Sequence, residues 1–199
     1  MIELLHWGDS MYKNFVKPIL DFVIALILFI ILLPVMVITV LITVIDLGFP
    51  IHNRLQKREG KNKKIFVMYK IRTKTMPTQA NGYKEEYTKI SKVIDRLRLN
   101  EIPQLINVIK GDMSLVGPRP FIPGEKLPEG NISEKRYKVR PGMTGLAQIH
   151  GGRAITHKDK LKYDEIYYDN LTFKMDVKIV LKTIYELIFH KIDSAKNIE

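Results

Sequence analysis

The sequence predicts a predominantly helical α+β fold carried on a membrane-embedded N-terminal segment. Three observations predict it. Residues 22–45 run for 24 positions without a charge, Lys84 to Leu99 and Phe173 to Ile192 repeat apolar residues at helical spacing, and one short stretch, Lys64 to Ile71, reads as a strand by its β-branched and aromatic content.

The uncharged run exceeds the ~20 residues that cross a hydrocarbon core. It is longer than a signal-peptide core, and no small-x-small cleavage site follows it. Pro34 lies near its middle and lacks the amide hydrogen of a helical ladder, which predicts a kink. Only Lys13 and Lys17 precede the run, whereas Arg54, Lys57, Arg58, Lys61, Lys63 and Lys64 follow it. Taken alone, that bias puts the C-terminal part in the cytoplasm and allows the N-terminus outside.

Gln56 to Gly60 begins a polar connection, and the Lys64–Ile71 strand follows. Arg72 to Tyr83 reads as a loop, with Pro77 and Asn81-Gly82 as breakers. Over Lys84 to Leu99, Tyr87, Ile90, Val93, Ile94 and Leu97 share one side; such a stripe packs in a core or, beside a membrane segment, lies at the lipid interface. Next comes a short helix, with Asn100 suited to its N-cap, Glu101 in the first turn, Pro103 tolerated there and Gly111 ending it after Lys110. Gly117-Pro118-Arg119-Pro120 then forms a rigid turn that presents Arg119 across a space suited to phosphate. The run from Tyr137 to Arg153 supplies Arg140, Arg153 and several glycines that let backbone amides approach an anion. The last helix carries Val177, Val180, Leu181, Ile184, Leu187 and Ile188 as packing residues.

The 199 residues suit one domain plus an attachment device. Lysine and arginine total 32 against 21 acids, a net charge of +11, and residues 1–45 hold only two of the basic residues. A surface so basic suits anionic lipid or pyrophosphate when it is joined to a membrane segment. Nucleic acid is not an expected partner, because neither an RNA-binding aromatic motif nor a helix-turn-helix pattern is present. The absence of cysteine excludes disulfides and thiolate metal sites. His150 and His157 lack ligand-like spacing, and with few candidate acids in the motifs a magnesium ion would need water and substrate phosphate to complete its shell.

Leu99 to Pro120 closely resembles a motif of the bacterial sugar transferases, small monotopic phosphoglycosyl transferases that move a phosphosugar from a UDP-sugar onto polyprenyl phosphate. Their pattern is Leu-Asp-Glu-Leu-Pro-Gln, then Asn-Val-Leu-Lys-Gly-Asp-Met-Ser and Val-Gly-Pro-Arg-Pro. A second motif, Arg-Pro-Gly-x-Thr-Gly-x-Ala-Gln, matches residues 140–148, and the resemblance runs from about Lys17 to about Thr183. It implies a re-entrant helix-break-helix over 12–46 that enters and leaves the same leaflet, with a cytoplasmic catalytic domain over 47–199, on the bacterial inner (cytoplasmic) membrane. Lys17, Asp21 and Pro34 match that membrane element, while Pro18 and Leu33 replace its second basic residue and its serine.

The resemblance further implies UMP and a polyprenyl-diphosphate sugar as products, Mg2+ as cofactor, membrane lipid as surroundings and downstream glycosyltransferases as consumers of the product. Residue by residue, it gives the metal role to Glu101. It gives substrate contacts to Arg58, Lys70, Arg72, Gln104, Arg119, Arg140, Gln148, Arg153 and Asp164, and places Asp176 on an acidic position that can cap the last helix. The family often has an arginine five residues before its nucleophile; this chain has Asp95 there, and the adjacent Arg96 is the candidate replacement. At the nucleophile itself the family has aspartate and this chain has Asn100. A neutral amide oxygen is a far weaker nucleophile and gives no stable acyl-phosphate. Three explanations stand side by side: an impaired transferase that serves as a membrane scaffold or substrate-binding protein, Glu101 as the nucleophile, or direct transfer between bound substrates. Because asparagine and aspartate cap helices equally well, Asn100→Asp is expected to raise turnover with little change in stability.

Overall fold

A single long helix, α1 (Lys17–Leu47), dominates the N-terminal part and is entered through a π-helical turn over Tyr12–Val16. The computed structural model describes residues 11–52, 56–125, 134–152 and 154–189. Contrary to the expected helix-break-helix, helical structure continues through Pro34. The proline removes one amide donor, yet its ring holds φ in the helical range, so the ladder is weakened without being ended. Thr39 and Thr43 are buried and donate back to the carbonyls of Val35 and Thr39, each at 2.8 Å, which keeps both hydroxyls satisfied inside the helix. Gly48 ends it with φ of 70°.

The α1 surface is divided. Ile31 and Ile45 are 63% and 85% exposed, whereas Ala25 is fully buried and Leu28, Leu32 and Met36 pack against Phe66, Met68, Leu105 and Val108. So the helix is one wall of a core and also presents a long apolar face outward. An apolar face of this length suits lipid.

β1 (Gln56–Glu59) and β2 (Ile65–Met68) form an antiparallel hairpin in which Gln56 faces Met68 and Arg58 faces Phe66. The sequence reading took β1 for a connection; Gln-Lys-Arg-Glu has no β-branched residue, and its pairing is supplied by β2. Next, α2 (Lys89–Arg96) starts five residues after the expected Lys84, because Thr88 and Ser91 form a reciprocal capping box. Of its apolar stripe only Ile94 is buried; Ile90, Val93 and Leu97 are each at least half exposed. The stripe therefore lies outside the core.

A 3-10 turn over Leu99–Glu101 leads into α3 (Gln104–Ile109), and Gly111, with φ of 79°, follows it as expected. β3 (Ser114–Val116) and β4 (Gly142–Thr144) pair in parallel, Ser114 opposite Gly142 and Val116 opposite Thr144. α4 (His157–Asp169) and α5 (Phe173–Ile188) complete the described chain. The expected end of the last helix at Ile192 falls outside the described residues. Val116, Val139, Ile149, Tyr167, Leu171 and Ile179 make a second core beneath β3 and β4.

A buried polar network fastens the start of α1 to this second core. Lys17 Nζ lies 2.7 Å from Asp176 Oδ2, and the Tyr12 and Tyr167 hydroxyls donate to the same carboxylate at 2.7 and 2.8 Å. Asp21 accepts from the Ser114 hydroxyl at 2.7 Å and from the Leu115 amide at 3.1 Å. Asp176 is thus spent on Lys17; the cap of α5 is Thr172, which accepts from the Met175 amide at 3.3 Å. The other end of α1 is also held: Thr88 donates to Asp46, and the Arg72 guanidinium donates to the carbonyls of Leu47 and Gly48, each at 2.7 Å.

Candidate active site

The two sequence motifs meet through β3 and β4. The Ser114 amide donates to the Pro141 carbonyl at 2.8 Å, the Gly117 amide to Thr144 at 2.9 Å, and the Gly142 amide to Pro118 at 2.9 Å. The approach is close enough that a Cβ on Gly117, Gly142 or Gly145 would run into facing backbone. Hence the Gly-Pro-Arg-Pro turn is clamped from behind. Pro118 and Pro120 are buried, and Arg119 between them is exposed.

In front of this clamp lies an open cleft of about 170 Å³. β1 contributes Gln56 and Arg58, the end of β2 contributes Met68 and Lys70, and the segment around α3 contributes Glu101 and Gln104. Arg119 and Pro120 close it on one side, and Gly142, Met143 and Gln148 on another. Of the residues named from sequence, Arg58, Lys70, Glu101, Gln104, Arg119 and Gln148 come together here.

The electrostatics are those of an anion site. Burial and the neighbouring Arg119 charge both depress the Arg58 pKa, with Glu125 opposing. Glu101 is the only carboxylate lining the cleft among the described residues. Burial would raise its pKa, but Lys70 at 2.9 Å and Arg98 at 3.3 Å outweigh that and hold it below the usual carboxylate range. Glu101 is therefore ionised at neutral pH. Gln148 Oε1 is buried without a hydrogen-bond partner among the described residues, an acceptor left for a ligand donor.

No cluster of three metal-ligating side chains occurs among the described residues. One ionised carboxylate beside a basic cleft does fit magnesium, which keeps most of its waters and takes further oxygens from substrate phosphate. It does not fit a metal caged by protein alone.

Other expected site residues lie elsewhere. Arg72 is 1% exposed, and its guanidinium is consumed by the carbonyls of Leu47, Gly48, Pro50 and Lys74, so it fixes the exit from α1 and does not meet the cleft. Asp164 is buried against Arg136, with Arg136 Nη1 at 3.1 Å from Oδ2. It acts on the site indirectly, because Arg136 also donates to the Arg119 carbonyl and stacks on the Phe121 ring. Arg96 is exposed in the last turn of α2 and does not line the cleft; nor does Arg140, whose guanidinium lies beside Gly111. Arg153 lies outside the described residues.

Asn100 is not a cap. It sits within the 3-10 turn, fully buried, and its Nδ2 donates to Asp95 Oδ1 at 2.8 Å while its own Oδ1 has no partner among the described residues. Pro103 precedes α3 and offers no side-chain cap, so the expectation that aspartate would serve equally well at position 100 loses its basis. Sequence reasoning missed Arg98 and Arg136. Arg98 stands three residues before Glu101, a spacing that could have found it, whereas Arg136 lies in a Glu-Lys-Arg-Tyr-Lys run that reads as a solvated surface.

The family model described as bacterial sugar transferase matches residues 12–190. A sugar transferase of Bacillus subtilis (strain 168) named EpsL, itself uncharacterized, is 34% identical over 177 residues, covering 87% of each chain. The UDP-N-acetylgalactosamine-undecaprenyl-phosphate N-acetylgalactosaminephosphotransferase of Aeromonas hydrophila is 37% identical over 149 residues, and the undecaprenyl-phosphate glucose phosphotransferase of Komagataeibacter xylinus is 33% identical over 174. These matches cover 67% and 76% of this chain, but only 34% and 33% of the two relatives, so the chain spans about a third of their length. With a match of this extent, the chain belongs to the bacterial sugar transferase family.

Proposed function

We propose that the chain transfers a phosphosugar from a UDP-sugar to polyprenyl phosphate at the cytoplasmic face of a bacterial inner membrane, releasing UMP. The observation that carries this reading is the cleft in which Arg58, Lys70 and Arg119 surround one ionised carboxylate, beside a helix whose outward face is apolar. A nucleotide diphosphate needs such cations, and a lipid phosphate needs such a neighbour. The names of the relatives that act on undecaprenyl phosphate point the same way.

In this reading Arg119, held out by two buried prolines, and Arg58 bind the diphosphate. Lys70 keeps Glu101 ionised and oriented. Glu101 is the residue that would hold Mg2+, and the bound ion would neutralise phosphate charge and ease the departure of UMP. Residues 12–46 act as the anchor and 47–199 as the catalytic domain. Both ends of α1 bond to that domain, through Asp176 and Ser114 at one end and Arg72 and Thr88 at the other, which supports both ends lying on the same side of the membrane.

A second reading is supported by Asn100: a member that binds the same substrates without turning them over. UMP release from a UDP-sugar panel separates the two. Transfer predicts release that requires both polyprenyl phosphate and Mg2+, and Glu101→Gln should weaken Mg2+-dependent nucleotide binding in titration calorimetry. Nucleotide binding with no UMP release by any sugar would leave the binding protein as the answer.

A further inference from the structure

Position 100 lacks a charge, and a charge lies one hydrogen bond away. Asn100 is 0% exposed, and its orientation is dictated by its neighbour: with Nδ2 turned to Asp95 a donor meets an acceptor, whereas the reverse amide would set two acceptors together. Asp95 has little else. The Tyr87 and Thr73 hydroxyls stand at 3.4 and 3.5 Å, and no ion pair involves Asp95 among the described residues.

Helix stability does not explain an acid here. Asp95 lies in the last turn of α2, where the macrodipole disfavours negative charge. The Asn100 amide is its shortest hydrogen bond, and that bond costs a buried, unpartnered Oδ1 at the other end of the same side chain. Two unfavourable features thus stand on either side of one contact.

We propose that Asp95 is a positioning residue for Asn100, and that the two act as a pair sharing a single negative charge: with a carboxylate at 95, position 100 must be a neutral donor. A carboxylate placed at 100 alone would oppose another within hydrogen-bond distance, and both cannot stay ionised. The group that the family's chemistry needs at 100 can therefore be restored only by removing the charge at 95. This last step rests on the proposed transfer reaction; the pairing does not.

The test uses the full chain in lipid nanodiscs, with Asn100→Asp, Asp95→Asn and the two combined. Thermal unfolding reads the pairing. Asn100→Asp should lower Tm by on the order of 5 °C, Asp95→Asn should change it little because an amide oxygen still accepts from Asn100, and the combination should recover most of the loss. Intact-protein mass spectrometry with UDP-sugar and Mg2+ reads the chemistry. The combination should form at least about tenfold more phosphosugar adduct than Asn100→Asp alone, a difference of about 1.4 kcal/mol. Recovery of Tm without an adduct would uphold the pairing and remove the acyl-phosphate route from this chain. If Asn100→Asp alone is as stable as the native chain, or if the two changes simply add, the pairing is wrong.

Discussion

Asp164 shows how a residue outside the cleft governs it. Burial pushes its carboxyl pKa up to about 7, against the pull of the Arg136 guanidinium. Arg136 in turn holds the Arg119 backbone and stacks on Phe121 at 3.3 Å from the ring centroid. Because the folded value lies above the ordinary 3.8, the contribution to stability is full below that value and is lost as pH rises through about 7. The native chain should therefore lose roughly 2–4 kcal/mol between pH 4 and pH 8 from this group. Asp164→Asn should flatten that slope, as Tm measured against pH will show. Sequence alone could not separate Asp164 or Arg72 from Arg119. All three are charged residues within matching motifs; what distinguishes them is burial, which the packing of distant segments decides. Arg119 was legible because two prolines enforce a turn around it whatever lies nearby.

At the scale of elements, legibility follows the strength of local signals. The long apolar helix and the last helix could be read directly, since each repeats its pattern over several turns. β3 and β4 are three residues each, too short for a period, and exist because two loops rich in glycine interlock. α4 went unread although Thr156 and Asp159 mark its start, with the Thr156 hydroxyl accepting from the Asp159 amide at 3.1 Å. The β3 and β4 contact is also where the site is most easily broken. A methyl at Gly142 meets the Gly117 amide and the Thr144 carbonyl, both backbone, so neither can rotate away. Gly142→Ala should destabilise the chain by about 1–3 kcal/mol and weaken UDP-sugar binding, because the turn holding Arg119 must shift. Circular dichroism melts and nucleotide titration of the same preparation would check both effects. Intact nucleotide affinity in a destabilised variant would show that Arg119 is positioned independently of this pairing.

For the whole molecule, the decisive quantity is where the ends of α1 lie. At ~1.5 Å per residue a straight helix of this length spans about 46 Å, more than enough to cross a bilayer. Yet the Lys17 end is bonded to α5 through a buried ion pair, and the Leu47 end to Arg72 of the same domain. Breaking the first by removing Lys17 would cost about 3–5 kcal/mol, since the Asp176 charge would stay buried without its ion-pair partner. In the proposed arrangement, with both ends of α1 on the cytoplasmic side, both ties lie on one side of the bilayer. The exposed apolar residues of α2 and α5, among them Ile90, Val93, Leu181 and Ile188, lie on helices joined to those ties and suit the headgroup boundary. The native chain contains no cysteine, so single cysteines report without background. Met11→Cys, half exposed before the ion pair, and Gln79→Cys, in the exposed loop after Arg72, should both resist an impermeant maleimide in intact cells and both react once the cells are opened. Labelling of position 11 alone in intact cells would mean that α1 crosses the bilayer, and the contacts joining its two ends to one domain could not then coexist.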